Sequence, residues 1–248
     1  MASACAPKRF APPSDAGSPL ADAQQIHQQL AAGCSNARTF TAELALSGRA
    51  GPQKLRGRVH AGFERPASMR LEGVAPFGPP AFILAARGDM ATLLLPRDSR
   101  VIRGARAQEI LAALVGIDLS PTDLQAILTG CVVPTPRATG GRLHGTKLAS
   151  IDLEGGATLY LRRSGSGWSP VAARRGEWQV EYPRWQGMFP AAVQLHTDKP
   201  VRVDLTAQVS QFEANVDLDA AAFTVDVPRD AEALTLDELR QSGPLRGQ

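Results

Sequence analysis

The stretch RTFTAELALSGRA, residues 38–50, alternates strictly. Phe40, Ala42, Leu44 and Leu46 fall on one side of an extended chain, and Thr39, Thr41, Glu43 and Ser47 on the other. Successive side chains of a strand point to opposite faces, so this period predicts a β-strand with one apolar and one wet face. QKLRGRVHAGFERP repeats the pattern, with Leu55, Val59, Ala61 and Phe63 inward and Arg56, Arg58, His60 and Glu64 outward. SMRLEGVA continues it with Met69, Leu71 and Gly73, PAFILAARGDMATLLLP reads as two strands turning at Gly88-Asp89, and SRVIRG is shorter. Further on, KLASIDL, ATLYLRR, GWSPVAAR, EWQVEYPRW, AAVQLHT and VRVDLTAQV are short, β-rich and separated by Gly, Pro or Asp, and AFTVDVP is a last candidate. Together they predict about eleven strands in meander order.

Helical spacing interrupts this run. Ser18-Pro19 reads as a cap with proline at the first helical position, followed by Leu20, Ala23, Ile26 and Leu30 and an end near Gly33-Cys34. RAQEILAALVG sets Ile110, Leu111, Leu114 and Val115 on one stripe. LSPTDLQAILTGC is punctuated as a second helix, with Ser120 as cap, Pro121 first, Asp123 three after the cap and Gly130 at the end. A Pro/Gly-rich loop is expected from Pro134 to Gly141, and TLDELRQSG reads as a small helix with Thr235 and Glu238 spaced as a capping box. The fold class expected is mainly β (α+β). A single curved antiparallel sheet must bury its apolar face, and the inserted helix pair and the first helix are its cover. Only 5% of the residues are aromatic against 44% hydrophobic, so the core is aliphatic. Residues 1–17 are expected as a disordered tether, 18–228 as the domain with its helix pair at about 106–130, and 229–248 as a tail with a short helix.

The formal charge of +3 is spread out, with acids interleaved. Nucleic-acid binding would want a clustered basic stripe with stacking aromatics. A mild positive excess suits an anionic membrane surface, and equally suits no particular partner. No run reaches the roughly 18 apolar residues of a membrane-spanning helix. Ala2-Ser3-Ala4-Cys5 resembles the end of a lipoprotein signal, which makes Cys5 a candidate lipid-attachment residue; the alternative is an incidental cysteine in a tail. His27, His60, His144 and His196 are far apart and form no metal-binding pair. His60 and His196 are expected to be solvated. There is no C-x-x-C, no G-x-S-x-G and no phosphate-binding glycine loop, and NVDLD lacks the further ligands of a calcium loop. No enzyme activity, metal or cofactor is therefore expected. Trp168, Trp178 and Trp185 cluster in the second half, as core residues or as the lining of a ligand site. Cys34 and Cys131, at two helix ends, would form a disulfide in an oxidising compartment and stay free thiols in a reducing one.

Two stretches resemble the Lol lipoprotein-localisation factors of the Gram-negative envelope: MRLEGVAPFGPPAFILAARGDMATLLLPRDSRVIRG and EYPRWQGMFPAAVQLH, within a similarity over roughly residues 36–228. The resemblance implies an open half-barrel with a helical lid over an apolar cavity for acyl chains. It places the cavity among Leu44, Leu46, Val59, Phe63, Met69, Leu71, Phe82 and Leu84 of the sheet, facing Ile110, Leu111, Leu114, Leu124, Ile127 and Leu128 of the lid. It also marks Phe77, in PFGPP, as the tip of a membrane-insertion loop. The function it implies is a non-enzymatic, periplasm-facing lipoprotein of the outer membrane, anchored through Cys5. Such a protein would bind lipid or lipoprotein acyl chains and serve as a chaperone in protein transport to that membrane. The alternative is a structural or assembly lipoprotein acting through an envelope protein partner.

Overall fold

The computed structural model describes residues 9–116, 118–131, 137–199 and 201–242. In chain order the elements are β1 (Ser18–Pro19), α1 (Ala23–Ser35), β2 (Thr39–Ala50), β3 (Gln53–Glu64), β4 (Ser68–Val74), β5 (Phe82–Arg87), β6 (Met90–Leu95) and β7 (Arg100–Arg106). Then come α2 (Ala107–Val115), α3 (Pro121–Thr129), β8 (Ala138–His144), β9 (Leu148–Leu153), β10 (Ala157–Ser164), β11 (Gly167–Arg175), β12 (Trp178–Gln186), β13 (Phe189–Thr197) and β14 (Val203–Ala214). A 3₁₀ turn (Ala220–Phe223), β15 (Glu232–Ala233) and α4 (Leu236–Ser242) are the last elements among the described residues.

All strands join one open, curved sheet in the order β1-β8-β9-β10-β11-β12-β13-β14-β2-β3-β4-β5-β6-β7-β15. Two antiparallel meanders, β2–β7 and β8–β14, meet where β14 pairs with β2 from Val203↔Ala50 to Ala214↔Phe40. Gly48 makes this junction possible. Its φ is +152°, and a Cβ there would lie 2.0 Å from the Asp204 carbonyl oxygen. The connection between the meanders, α2 and α3, crosses the apolar face from one side of the sheet to the other. The two helices are built as their punctuation predicts: Ser120 and Asp123 form a reciprocal capping box, and Gly116 and Gly130 end α2 and α3 in left-handed conformation.

The sheet has 15 strands where about eleven were expected. Residues 138–144, expected to begin in a glycine-rich loop, form β8; Gly141 is needed because a Cβ there would lie 2.5 Å from that of Ala23, where α1 crosses the strand. Ser18-Pro19 does not cap α1. It extends the sheet edge, pairing with Leu143 and Arg142, and Asp22 precedes the helix. Proline suits an edge strand because it has no N–H to offer a further neighbour. AFTVDVP is not a strand. Ala220–Phe223 turns over the face of the sheet opposite the core, where the Arg70 guanidinium donates to the carbonyls of Ala222 (3.0 Å) and Thr224 (2.8 Å).

The segment from Arg9 to Gly17, expected within a disordered tether, straps that same outer face on the β8–β14 half. Arg9 pairs with Asp204, the Phe10 ring lies 5.0 Å from that of Tyr160, and the Phe10 N–H donates to Glu181 (3.0 Å). Asp15 meets His144 at 2.8 Å. His196 is not solvated: Nδ1 is 2.8 Å from Asp204 and Nε2 is 3.5 Å from Glu181. Burial raises the Asp204 pKa, but the hydrogen bond from His196 and the Arg9 and Arg202 cations outweigh it and hold the carboxyl below its usual range. The last segment is likewise bound. β15 pairs in parallel with β7, α4 packs on α2, and Leu239 is fully buried.

Gly48→Ala should destabilise the fold by more than about 1 kcal/mol, because the new methyl must displace the β14 backbone. Gly33→Ala, where a Cβ meets nothing within 4 Å, should be neutral or stabilising by up to about 1 kcal/mol. Urea unfolding of both variants checks the contrast.

Candidate functional site

The residues expected to line an acyl cavity do come together. Leu44, Val59, Phe63, Met69, Leu71, Phe82 and Leu84 from the sheet, with Ile110, Leu111, Leu114, Ile127 and Leu128 from α2 and α3, are buried in one continuous cluster. Leu46 and Leu124 are partly buried against it. In this structure these side chains are buried against one another between the sheet and the helices. α3 is held down by Gln125, fully buried, whose amide donates to the carbonyls of Glu64 (3.0 Å) and Ser68 (3.1 Å).

Beside this cluster lies an open cleft of about 560 Å³ between α1, the end of α3 and strands β10–β12. Its origin is a local failure of sheet pairing. β11 and β12 pair only from Ala172↔Glu181 to Arg175↔Trp178. Beyond that, Pro170 on β11 and Pro183 on β12 have no N–H for a ladder. The register of β12 with β13 shifts at the same place, between Glu181 and Arg184. The strands part, and Trp185 fills some of the gap, its indole N–H donating to the Pro170 carbonyl at 3.1 Å. The ring of Trp185 rests on the end of α3, where a Cβ on Gly130 would lie 2.5 Å from it.

Trp168 and Trp185 line the cleft, with Leu30 and Met188 as further apolar wall; Trp178 does not. The Arg163 guanidinium stacks over Trp168, 4.8 Å from the ring centre, and Arg162 stands at the same rim. Tyr182 lines the inner part. It is 3% exposed, its ring is 5.4 Å from that of Trp185, and its hydroxyl finds no hydrogen-bond partner among the described residues. Burial pushes the phenol pKa far up, so it is a neutral donor at any ordinary pH. A buried hydroxyl left unpaired costs roughly 1–3 kcal/mol, and buried tyrosines usually find a partner. The sequence singled out the tryptophans but not Tyr182. Its only signal was an inward position two residues after Val180 and next to Pro183.

The described lining contains two arginines and no Asp, Glu, His or Cys. Among the described residues no group of three or more His, Cys, Asp or Glu is placed to hold a metal ion. The arrangement offers apolar surface, one buried donor and positive charge at the rim, which is chemistry for binding. Phe77, at the tip of the loop joining β4 and β5, is 88% exposed. The backbone of that loop is pinned by Arg97, whose guanidinium donates to the Phe77 and Pro79 carbonyls. Cys5 lies outside the described residues. No helix among the described residues is long and apolar enough to cross a membrane.

No protein-family model matches the chain, and no curated protein matches its sequence. Its fold does match solved structures. A LolA-superfamily protein from Nitrosomonas europaea aligns with TM-score 0.56 and 12% identity over 81% of this chain and 98% of that one. A DUF1329 family protein from Desulfovibrio piger gives 0.54 and 12% over 84% and 98%. A domain named for outer membrane lipoprotein sorting, from Vibrio parahaemolyticus, gives 0.50 and 9% over 81% and 95%. The chain thus shares its fold with these structures: one large curved sheet around a face covered by helices.

α1 forms one wall of the cleft, and its His27 is 7% exposed. Burial lowers the His27 pKa from its ordinary 6.5. A histidine kept neutral in the folded state contributes stability that is complete above the unfolded pKa and is lost as pH falls below it. The melting temperature should therefore drop between about pH 7 and pH 5, and the drop should be smaller in His27→Gln. Thermal melts of both proteins across that window check this.

Proposed function

We propose that the chain is a non-enzymatic, outer-membrane lipoprotein that faces the periplasm and binds acyl chains of lipids or lipoproteins, in the localisation of lipoproteins to that membrane. The observation that carries this reading is the cleft at the edge of the helix-covered aliphatic interior. An acyl chain has no directional bonding needs, and an aliphatic interior meets it by burial alone. The likeness of the fold to a LolA-superfamily protein supports the same reading, as do the two arginines of the cleft lining.

In this proposal Cys5 carries the lipid, and Phe77 enters the membrane from a loop that Arg97 keeps rigid. Phe77→Glu should reduce binding to anionic vesicles several-fold in flotation, with an unchanged melting temperature because the side chain touches little. Equal flotation of both proteins would remove Phe77 from the membrane contact. Cys34 and Cys131 form the disulfide. In support, Cys131 is disulfide-bonded and α1 packs on α3. The bond closes a loop of about a hundred residues and is worth up to about 4.7 kcal/mol in the chain-entropy model. Non-reducing peptide mapping should recover the Cys34–Cys131 pair and an acylated Cys5. A free Cys34 or an unmodified Cys5 in protein from its native envelope would overturn the corresponding assignment.

A second reading has an observation of its own. The expected cavity residues are packed against one another, as in an assembly lipoprotein whose interior is structural and which acts through a protein partner. The two readings differ in ligand uptake. The carrier reading expects a fluorescent fatty-acyl probe to bind saturably and to slow hydrogen exchange in α1 and α3. The assembly reading expects neither.

A further inference from the structure

Resting on the carrier reading, we infer that the cleft beside Tyr182 selects anionic amphiphiles. The apolar chain lies against Trp168, Trp185 and Met188. A carbonyl or carboxyl oxygen accepts a hydrogen bond from the Tyr182 hydroxyl, and the negative headgroup meets Arg162 and Arg163.

Three independent features point to this class of ligand. The Tyr182 hydroxyl is buried and unpartnered among the described residues in the wall of the cleft. Burial keeps it protonated, so it can donate to a ligand oxygen but cannot attract a cation as phenolate. The second feature is charge. The described lining includes Arg162 and Arg163, with the Arg163 guanidinium placed over Trp168, and no carboxylate, a balance that favours an anion over a cation. Arg163 is held over the face of Trp168, so its charge is fixed at the boundary between the apolar wall and solvent. The third is shape. About 560 Å³ is within the range of small-molecule sites, and the opening leaves a headgroup in water while the chain is buried. Two sources supply this chemistry: a fatty-acid carboxylate and an anionic phospholipid.

The test uses the full chain and cis-parinaric acid, a fluorescent fatty acid, displaced in turn by oleate, methyl oleate, short-chain phosphatidylglycerol and short-chain phosphatidylcholine. Oleate and phosphatidylglycerol should displace the probe better than their uncharged and zwitterionic counterparts; the stronger of the two identifies the source. Tyr182→Phe removes only the hydroxyl oxygen. It should weaken probe binding roughly two- to tenfold, the worth of one hydrogen bond, while the melting temperature holds or rises. The double variant Arg162→Gln, Arg163→Gln should erase the preference for anionic over neutral competitors. If wild type binds the probe but neither variant changes affinity or preference, this inference falls and the carrier reading stands. If wild type binds no amphiphile, both fall.

Discussion

The ladder between β14 and β2 is the contact on which the rest of the structure depends. Each meander alone is an open sheet with an uncovered apolar face. Pairing the last long strand with the first merges the two into one surface. It also obliges the link between the meanders to cross that surface. The link carries α2 and α3, so the closure that unites the sheet also places its cover. Gly48 is the residue at which the two backbones come too close for any side chain. The outer face is secured by straps: Arg9–Gly17 on one half and the turn at Ala220–Phe223 on the other.

Against that long ladder, the cleft is a wider interruption. Two prolines facing each other on β11 and β12 remove the donors that would have extended the pairing, and Trp185 fills only part of the gap. The result is a place where the aliphatic interior, the end of α3 and the α1 wall meet solvent. Tyr182 sits at that meeting with a donor that no described residue accepts from. Specificity in such a site needs only a few well-placed polar groups beside an apolar wall.

Much of this was legible in the sequence, for identifiable reasons. The strands with one wet face were read correctly because period-two alternation is imposed directly by burial of one side, as at Phe40, Ala42 and Leu44. The α3 boundaries were legible because Ser120, Asp123 and Gly130 act through local bonds. What failed were positions where a distant segment decides. Gly140-Gly141 looked like a loop but is a strand shaved down for α1 to cross. Ser18-Pro19 looked like a helix start but is edge pairing. Arg9 and Phe10 looked like tail but are bound to partners more than a hundred residues away. The tryptophans, read either as core residues or as the lining of a ligand site, divide: Trp168 and Trp185 line the cleft and Trp178 does not. Tyr182 was invisible because an unpartnered hydroxyl is a property of packing, not of spacing. The apolar set from Leu44 to Leu128 was read as the two walls of an acyl cavity, and in the structure its members are buried together or packed against one cluster.

The proposed role of the helix-covered interior and its cleft is to hold lipid. It is tested most directly by mass spectrometry of organic extracts from the protein purified gently out of its native envelope. An anionic, acyl-containing lipid should be recovered in stoichiometric amount and lost when Tyr182, Arg162 and Arg163 are replaced together. Protein that emerges free of bound lipid, with an envelope protein recovered alongside it, would contradict the claim and make the packed interior a purely structural core.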